Sequence, residues 1–186
     1  RAREKDPNAG YAHDFVTVTI AAVARDVAAK KIKVVTNAGG VNPKACAAAL
    51  EALLAKQGVA LKVAYVEGDD VLPRLETWKA QGVKEMFTGA PLPEKPISMN
   101  AYLGGFPIAA ALAKGADVVI TGRCVDSAVT LGACIHEFGW GPKDYDKLSG
   151  GSLAGHIVEC GAQACGGIFT DWDQVPEWEN IGYAIA

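Results

Sequence analysis

Asp117-Val118-Val119-Ile120-Thr121-Gly122-Arg123-Cys124-Val125-Asp126-Ser127 is the stretch that decides the fold. Residues 117–121 read as a β-strand, apolar and β-branched. The glycine breaks it, and Ser127 leads into a helix predicted to reach about Phe138. Working outward toward the amino end, Ile32-Lys33-Val34-Val35-Thr36 and Leu61 to Val66 read as two more strands. Between them Asn42 suits an N-cap and Pro43 the first helical position, so a helix is expected over 43–57, stopped by Gly58. A helix is expected over 10–30. Another spans about 70–81, where Pro73 is tolerated because first-turn amides have no helical acceptor. Pro91, Pro93 and Pro96 make 83–99 a loop, and Asn100 opens an apolar helix to about Lys114. Beyond the deciding stretch, 139–151 reads as a loop. Ser152 caps a helix to about Cys165, and an edge strand is expected near Ile181 to Ala186. The β-α-β-α-(α)-β-α alternation predicts an α/β protein, a Rossmann-like layered fold with a mainly parallel sheet and helices on both faces.

The 186 residues fit a single α/β domain, 1–186, and three strands are few, so more are expected in sequence outside this chain. An opening Arg1 rather than Met reads as an internal piece of a longer protein. Half the residues are hydrophobic, a fifth are charged, and the net charge is −3, which excludes a disordered tail or a collagen. With no basic block, a nucleic-acid surface is not expected. No apolar run approaches the ~20 residues of a membrane helix, and no signal peptide is visible. Five cysteines without a C-x-x-C pair read as reduced thiols of a cytoplasmic protein.

In open α/β sheets the ligand crevice lies beyond the carboxyl ends of the strands. Three loops meet that description. In the first, Asn37, Gly39, Gly40 and Asn42 precede a helix, where glycines let amides approach an anion. It is neither G-x-G-x-x-G nor a Walker A, so no nucleotide-cofactor fingerprint is present; a turn glycine beside an Asn cap is the competing reading. As a strand-end amide, Asn37 is expected to be buried and in need of partners. In the second, Asp69 and Asp70 read first as helix caps and first-turn acids, with a divalent metal held by them and Glu67 as the lesser reading. In the third, Arg123 offers a planar fork for a carboxylate or phosphate, with Asp126 and Ser127 beside it. The competing reading is a pair of Arg123 with Asp126 or Asp70 that ties loops together.

His156, Glu159, Cys160 and Gln163 fall at i, i+3, i+4 and i+7, on one helix face among glycines and alanines. His156 can serve as a general base steered by Glu159. A structural network between packed helices competes, with a zinc site of His156, Glu159 and Cys160 third. Gly150-Gly151-Ser152-Leu153-Ala154 narrowly misses G-x-S-x-G and lacks its preceding strand, so Ser152 is read as an N-cap.

The ordered set of Val34-Val35-Thr36-Asn37-Ala38-Gly39-Gly40, Gly68-Asp69-Asp70, Asn100-Ala101-Tyr102-Leu103-Gly104, Ala116 to Arg123, His136-Glu137-Phe138-Gly139-Trp140 and Ala154 to Gln163 resembles the acyclic terpene utilization (AtuA-type) family. The resemblance covers essentially the whole chain. Cys124 and Cys165 depart from its pattern, which weakens a catalytic role for those thiols. Members are longer, with a glycine-rich segment upstream and further sequence downstream. The resemblance implies a place in the breakdown of citronellol- and geraniol-type acids as CoA thioesters, and it carries over no catalytic residues. The expected function is therefore an enzyme acting on a carboxylic acid or its CoA thioester by a lyase, hydration or hydrolytic step. The alternative is a non-catalytic scaffold or accessory subunit of an acyl-CoA-metabolising complex. Either reading points to a homo-oligomer or a larger assembly.

Overall fold

A computed structural model describes residues 6–186, which fall into two compact units. The first holds 6–103 and 115–124; the second holds 104–114 and 125–186.

The first unit carries a three-stranded, all-parallel sheet: β1 (Val34–Thr36), β2 (Val63–Val66) and β3 (Val118–Thr121), in the order β1-β3-β2. Val118 of the central strand stands opposite both Val34 and Val63. A π-helical turn over Phe15–Ile20 continues into α1 (Ala21–Ala29), and α2 spans Pro43–Gln57. Val16, Ile20 and Ala24 meet Cys46, Leu50 and Leu54 over Val118 and Ile120, forming one core. Asn42 caps α2 as expected, accepting the Ala45 N–H at 3.3 Å, and Gly58 ends it in the left-handed conformation. Between β2 and β3 lies a 3-10 turn, Leu72–Arg74, with Pro73 in its first positions, leading into the short α3 (Leu75–Ala80).

The second unit is built from α4 (Phe106–Ala113), α5 (Ala128–Phe138) and α6 (Tyr145–Cys160), packed in sequence order. The α/β class read from the sequence holds. No described helix is long and apolar enough to cross a membrane.

Several expected boundaries shift. The strands lose their first residues, Ile32 being left exposed. Asn100 opens no helix: its backbone bridges to Asp70, and α4 waits until Pro107 can occupy the first turn. The loop expected over 139–151 is helical from Tyr145. Asp144 accepts the Gly141 N–H at 2.8 Å and its carbonyl takes the Leu148 N–H, so the helix has a start the sequence reading missed. The Gly150-Gly151 pair stays helical because Gly151 is buried under Trp140, where a Cβ would come within 2.7 Å of the indole. Ser152 is therefore mid-helix and not an N-cap. The helix stops at Cys160, five residues early, and a 3-10 turn over Gly161–Gln163 replaces its end. Residues 181–186 form no strand.

Candidate functional site

Because the sheet is parallel, the segments after β1, β2 and β3 all emerge at its carboxyl end. A fourth segment, 98–103, threads between two of them. Val71 donates to the Met99 carbonyl, Ala101 to the Asp69 carbonyl, and Leu103 bridges in parallel to Cys124. This segment escaped the sequence reading, which made it the start of a helix. The signal was present in the Asn100-Ala101-Tyr102 run, but an apolar stretch with two glycines reads equally as a broken helix.

Asp69 holds the arrangement together. It is only 4% exposed, and one carboxylate oxygen, Oδ2, accepts two hydrogen bonds. One comes from the Arg123 backbone N–H at 2.9 Å, the other from Asn100 Nδ2 at 3.1 Å. Gly122 lies flat against it: a Cβ there would stand 2.7 Å from Oδ2 and 2.8 Å from Oδ1. The expectation that Asp69 caps a helix is corrected, since the turn that follows begins after Val71. Asp70 is exposed and closes a local turn by accepting the Leu72 N–H at 3.1 Å.

A cavity of about 300 Å³ opens here, lined by Asn37, Gly40, Ser98, Asn100, Gly122 and Arg123 among others. The Arg123 guanidinium forms no ion pair among the described residues; it lies over the Tyr102 ring at 5.5 Å. The competing reading, an Arg–Asp side-chain pair, is not what the loop uses: Asp69 takes the Arg123 main-chain N–H and leaves the guanidinium uncommitted. A second hollow of about 230 Å³ runs beside Asn42, Glu67, Gly68, Asp69 and Asp70.

The glycine loop after β1 differs from the expected anion cradle. The amides of Gly40, Val41 and Asn42 donate to the carbonyls of Asn37, Gly10 and Gly39, and that of Ala38 to Thr36 Oγ1. Asn42 uses its whole side chain: Oδ1 caps α2, and Nδ2 donates to the Pro7 and Ala9 carbonyls at 2.8 and 2.9 Å. Gly39 is buried because a Cβ would meet the Thr121 carbonyl at 2.5 Å, so this loop packs directly on the end of β3. Asn37, expected to be buried, is exposed at the cavity.

The remaining candidates belong to the second unit. Asp126 is exposed, and Ser127, 2% exposed, opens α5, with Gly155 of α6 packed on its backbone. His156, Glu159 and Gln163 are exposed and Cys160 half-buried. His156 Nδ1 lies 3.0 Å from the Ser152 carbonyl. A carbonyl only accepts, so Nδ1 carries the proton and Nε2 is the basic nitrogen of the neutral ring. The orienting role expected of Glu159 thus falls to the main chain. Glu159 instead accepts from the Cys160 thiol at 3.2 Å, and this hydrogen bond raises the thiol's pKa above its ordinary value, against a nucleophilic role. Burial pushes the Cys46 thiol up to about 11. Among the described residues no three His, Cys, Asp or Glu side chains gather as a metal set, neither around Glu67, Asp69 and Asp70 nor around His156.

A parallel sheet with helices around it and a polar cavity at its carboxyl end places the chain in the α/β class. Within that class the chain belongs to the family described as acyclic terpene utilisation family protein AtuA, whose sequence profile matches residues 1–186, the whole chain. Neither a curated protein nor a solved structure matches it. Membership associates the chain with the utilisation of acyclic terpenes.

Proposed function

We propose that the chain carries the anion-binding site of an enzyme of branched-chain, terpenoid-acid catabolism, acting on a carboxylic acid or its CoA thioester. The observation that carries this reading is Arg123: an exposed guanidinium without an ion-pair partner among the described residues, at a polar cavity on the carboxyl end of a parallel sheet. Asn37, Asn100 and Ser98 would complete the hold on the anionic group. His156 Nε2, in the second unit, is the chain's candidate general base for a lyase, hydration or hydrolytic step, a role that does not rest on the Arg123 cavity. The five free thiols suit a reducing, cytoplasmic compartment.

A second reading, an accessory subunit of an acyl-CoA-metabolising assembly, draws on the stripe of α6. There His156 and Glu159 each bond within their own helix, and no acid/base pair forms between them. Thermal unfolding of the complete protein with acyl-CoAs and free branched acids separates the two. A ligand at about 100 times its Kd adds about 2.7 kcal/mol of stability. The enzyme reading expects that gain, and expects Arg123→Ala to remove it. An equal gain in Arg123→Ala refutes the site; no gain with any ligand favours the subunit.

A further inference from the structure

The cavity's donors carry information about which anion it takes. We infer that it selects a carboxylate over a phosphate. This deepens the proposed function and rests on it, since both need Arg123 to face an anion.

Phosphate sites at strand–helix junctions surround the anion with backbone N–H groups. Here five of those groups are engaged within the protein. The amides of Ala38, Gly40, Val41 and Asn42 donate inside their own loop or to Gly10, and the Arg123 amide donates to Asp69. The side chains that face the cavity are one guanidinium with neutral Asn37 and Ser98, which carry no side-chain hydrogen bond among the described residues. Tyr102 lies against the guanidinium, and the planar fork matches an anion with two oxygens in one plane. Charge argues the same way. Asp69 hydrogen-bonds two residues of the cavity wall, Arg123 and Asn100, and presses on a third, Gly122. A carboxylate one hydrogen bond behind the wall offsets the single cation and opposes a dianion more strongly than a monoanion.

A carboxylate can arrive as a free branched acid or as a second acid group on a CoA thioester. Calorimetric titration of the full chain uses four probes: 3-methylbutanoate, malonyl-CoA, acetyl-CoA and inorganic phosphate. The expected result is binding of 3-methylbutanoate, malonyl-CoA or both, with the one that binds naming the source. Acetyl-CoA, which has the phosphates but no carboxylate, and inorganic phosphate should bind far more weakly. Arg123→Ala should weaken the carboxylate by about 10- to 100-fold, the loss of a charge-assisted hydrogen-bonded pair. Arg123→Lys, which keeps the charge and loses the fork, should recover only part of it. Asp69→Asn should narrow the preference by strengthening phosphate, a change that a merely structural role would not produce. Acetyl-CoA or phosphate binding as tightly as the carboxylate, with equal dependence on Arg123, would overturn the selectivity and leave the proposed function standing. Binding of none of the four by folded protein would overturn both.

Discussion

The two ends of the sheet each carry an aspartate that ties strands together, and the two are partnered differently. At the amino end Asp117 precedes β3. Its Oδ1 lies 2.7 Å from the Lys33 ammonium before β1, and its Oδ2 accepts the Lys62 N–H before β2 at 2.9 Å. These contacts hold its carboxyl below the ordinary aspartate pKa, the Lys33 hydrogen bond most of all. At the carboxyl end Asp69 does the same stitching with an amide N–H and a carboxamide. The cation nearest in sequence to that network, Arg123, gives Asp69 its backbone and keeps its side chain out. One end of the sheet neutralises its acid; the other leaves a positive charge unspoken for.

The largest expected effect tests whether Asp69 carries that end. Asp69→Ala empties a buried position and leaves the partly buried Arg123 N–H and Asn100 amide without their acceptor. It should cost about 1–3 kcal/mol in denaturant unfolding, the penalty for partly buried polar groups losing their partner. A loss under half that would mean that water reaches these groups and that the network is not the tie proposed. Gly122→Ala comes next. Its Cβ would overlap the Asp69 carboxylate, and overpacking of this kind costs about 1–3 kcal/mol. Wild-type stability in that variant would show that the Asp69 side chain moves freely.

Asn42→Ala probes the loop between these elements. It removes the cap of α2 and the two donors to Pro7 and Ala9, so about 1–2 kcal/mol should be lost. Anion affinity should change little, because the Asn42 side chain is already engaged. A large fall in affinity with the fold intact would instead place Asn42 in the site, as its sequence position suggested.

The sheet was legible because strand signals are local: Val118 to Thr121 is β-branched and apolar in any context, and Asn42-Pro43 is a cap whatever follows. The convergence of Asn37 and Arg123 followed from topology, since parallel strands deliver their loops to one end. Asp69 was visible as a residue but not as a role. A cap and a buried tie have the same sequence, and only the path of 98–103, set by backbone bridges to Asp70 and Cys124, distinguishes them. The stripe on α6 shows the opposite limit. Periodicity put His156 and Glu159 on one face, yet neighbours on a face need not bond. His156 found its own helix's carbonyl and Glu159 found Cys160.

The smallest expected effect belongs to the amino end. Asp117 is partly solvated and its ion pair is screened, so Asp117→Asn should cost only about 0–1 kcal/mol at neutral pH. The pH dependence is the sharper readout. A carboxyl whose folded pKa lies below its unfolded value of about 3.9 contributes stability above that value. The contribution fades as pH falls through the lower, folded value. The wild-type advantage over Asp117→Asn should therefore be constant from neutral pH down to about 4 and shrink below it. Added salt should reduce the advantage at neutral pH, since the pair is at the surface. An advantage that grows on acidification would mean that Asp117 is stabilised in its protonated form, and the contrast between the two ends of the sheet would fail.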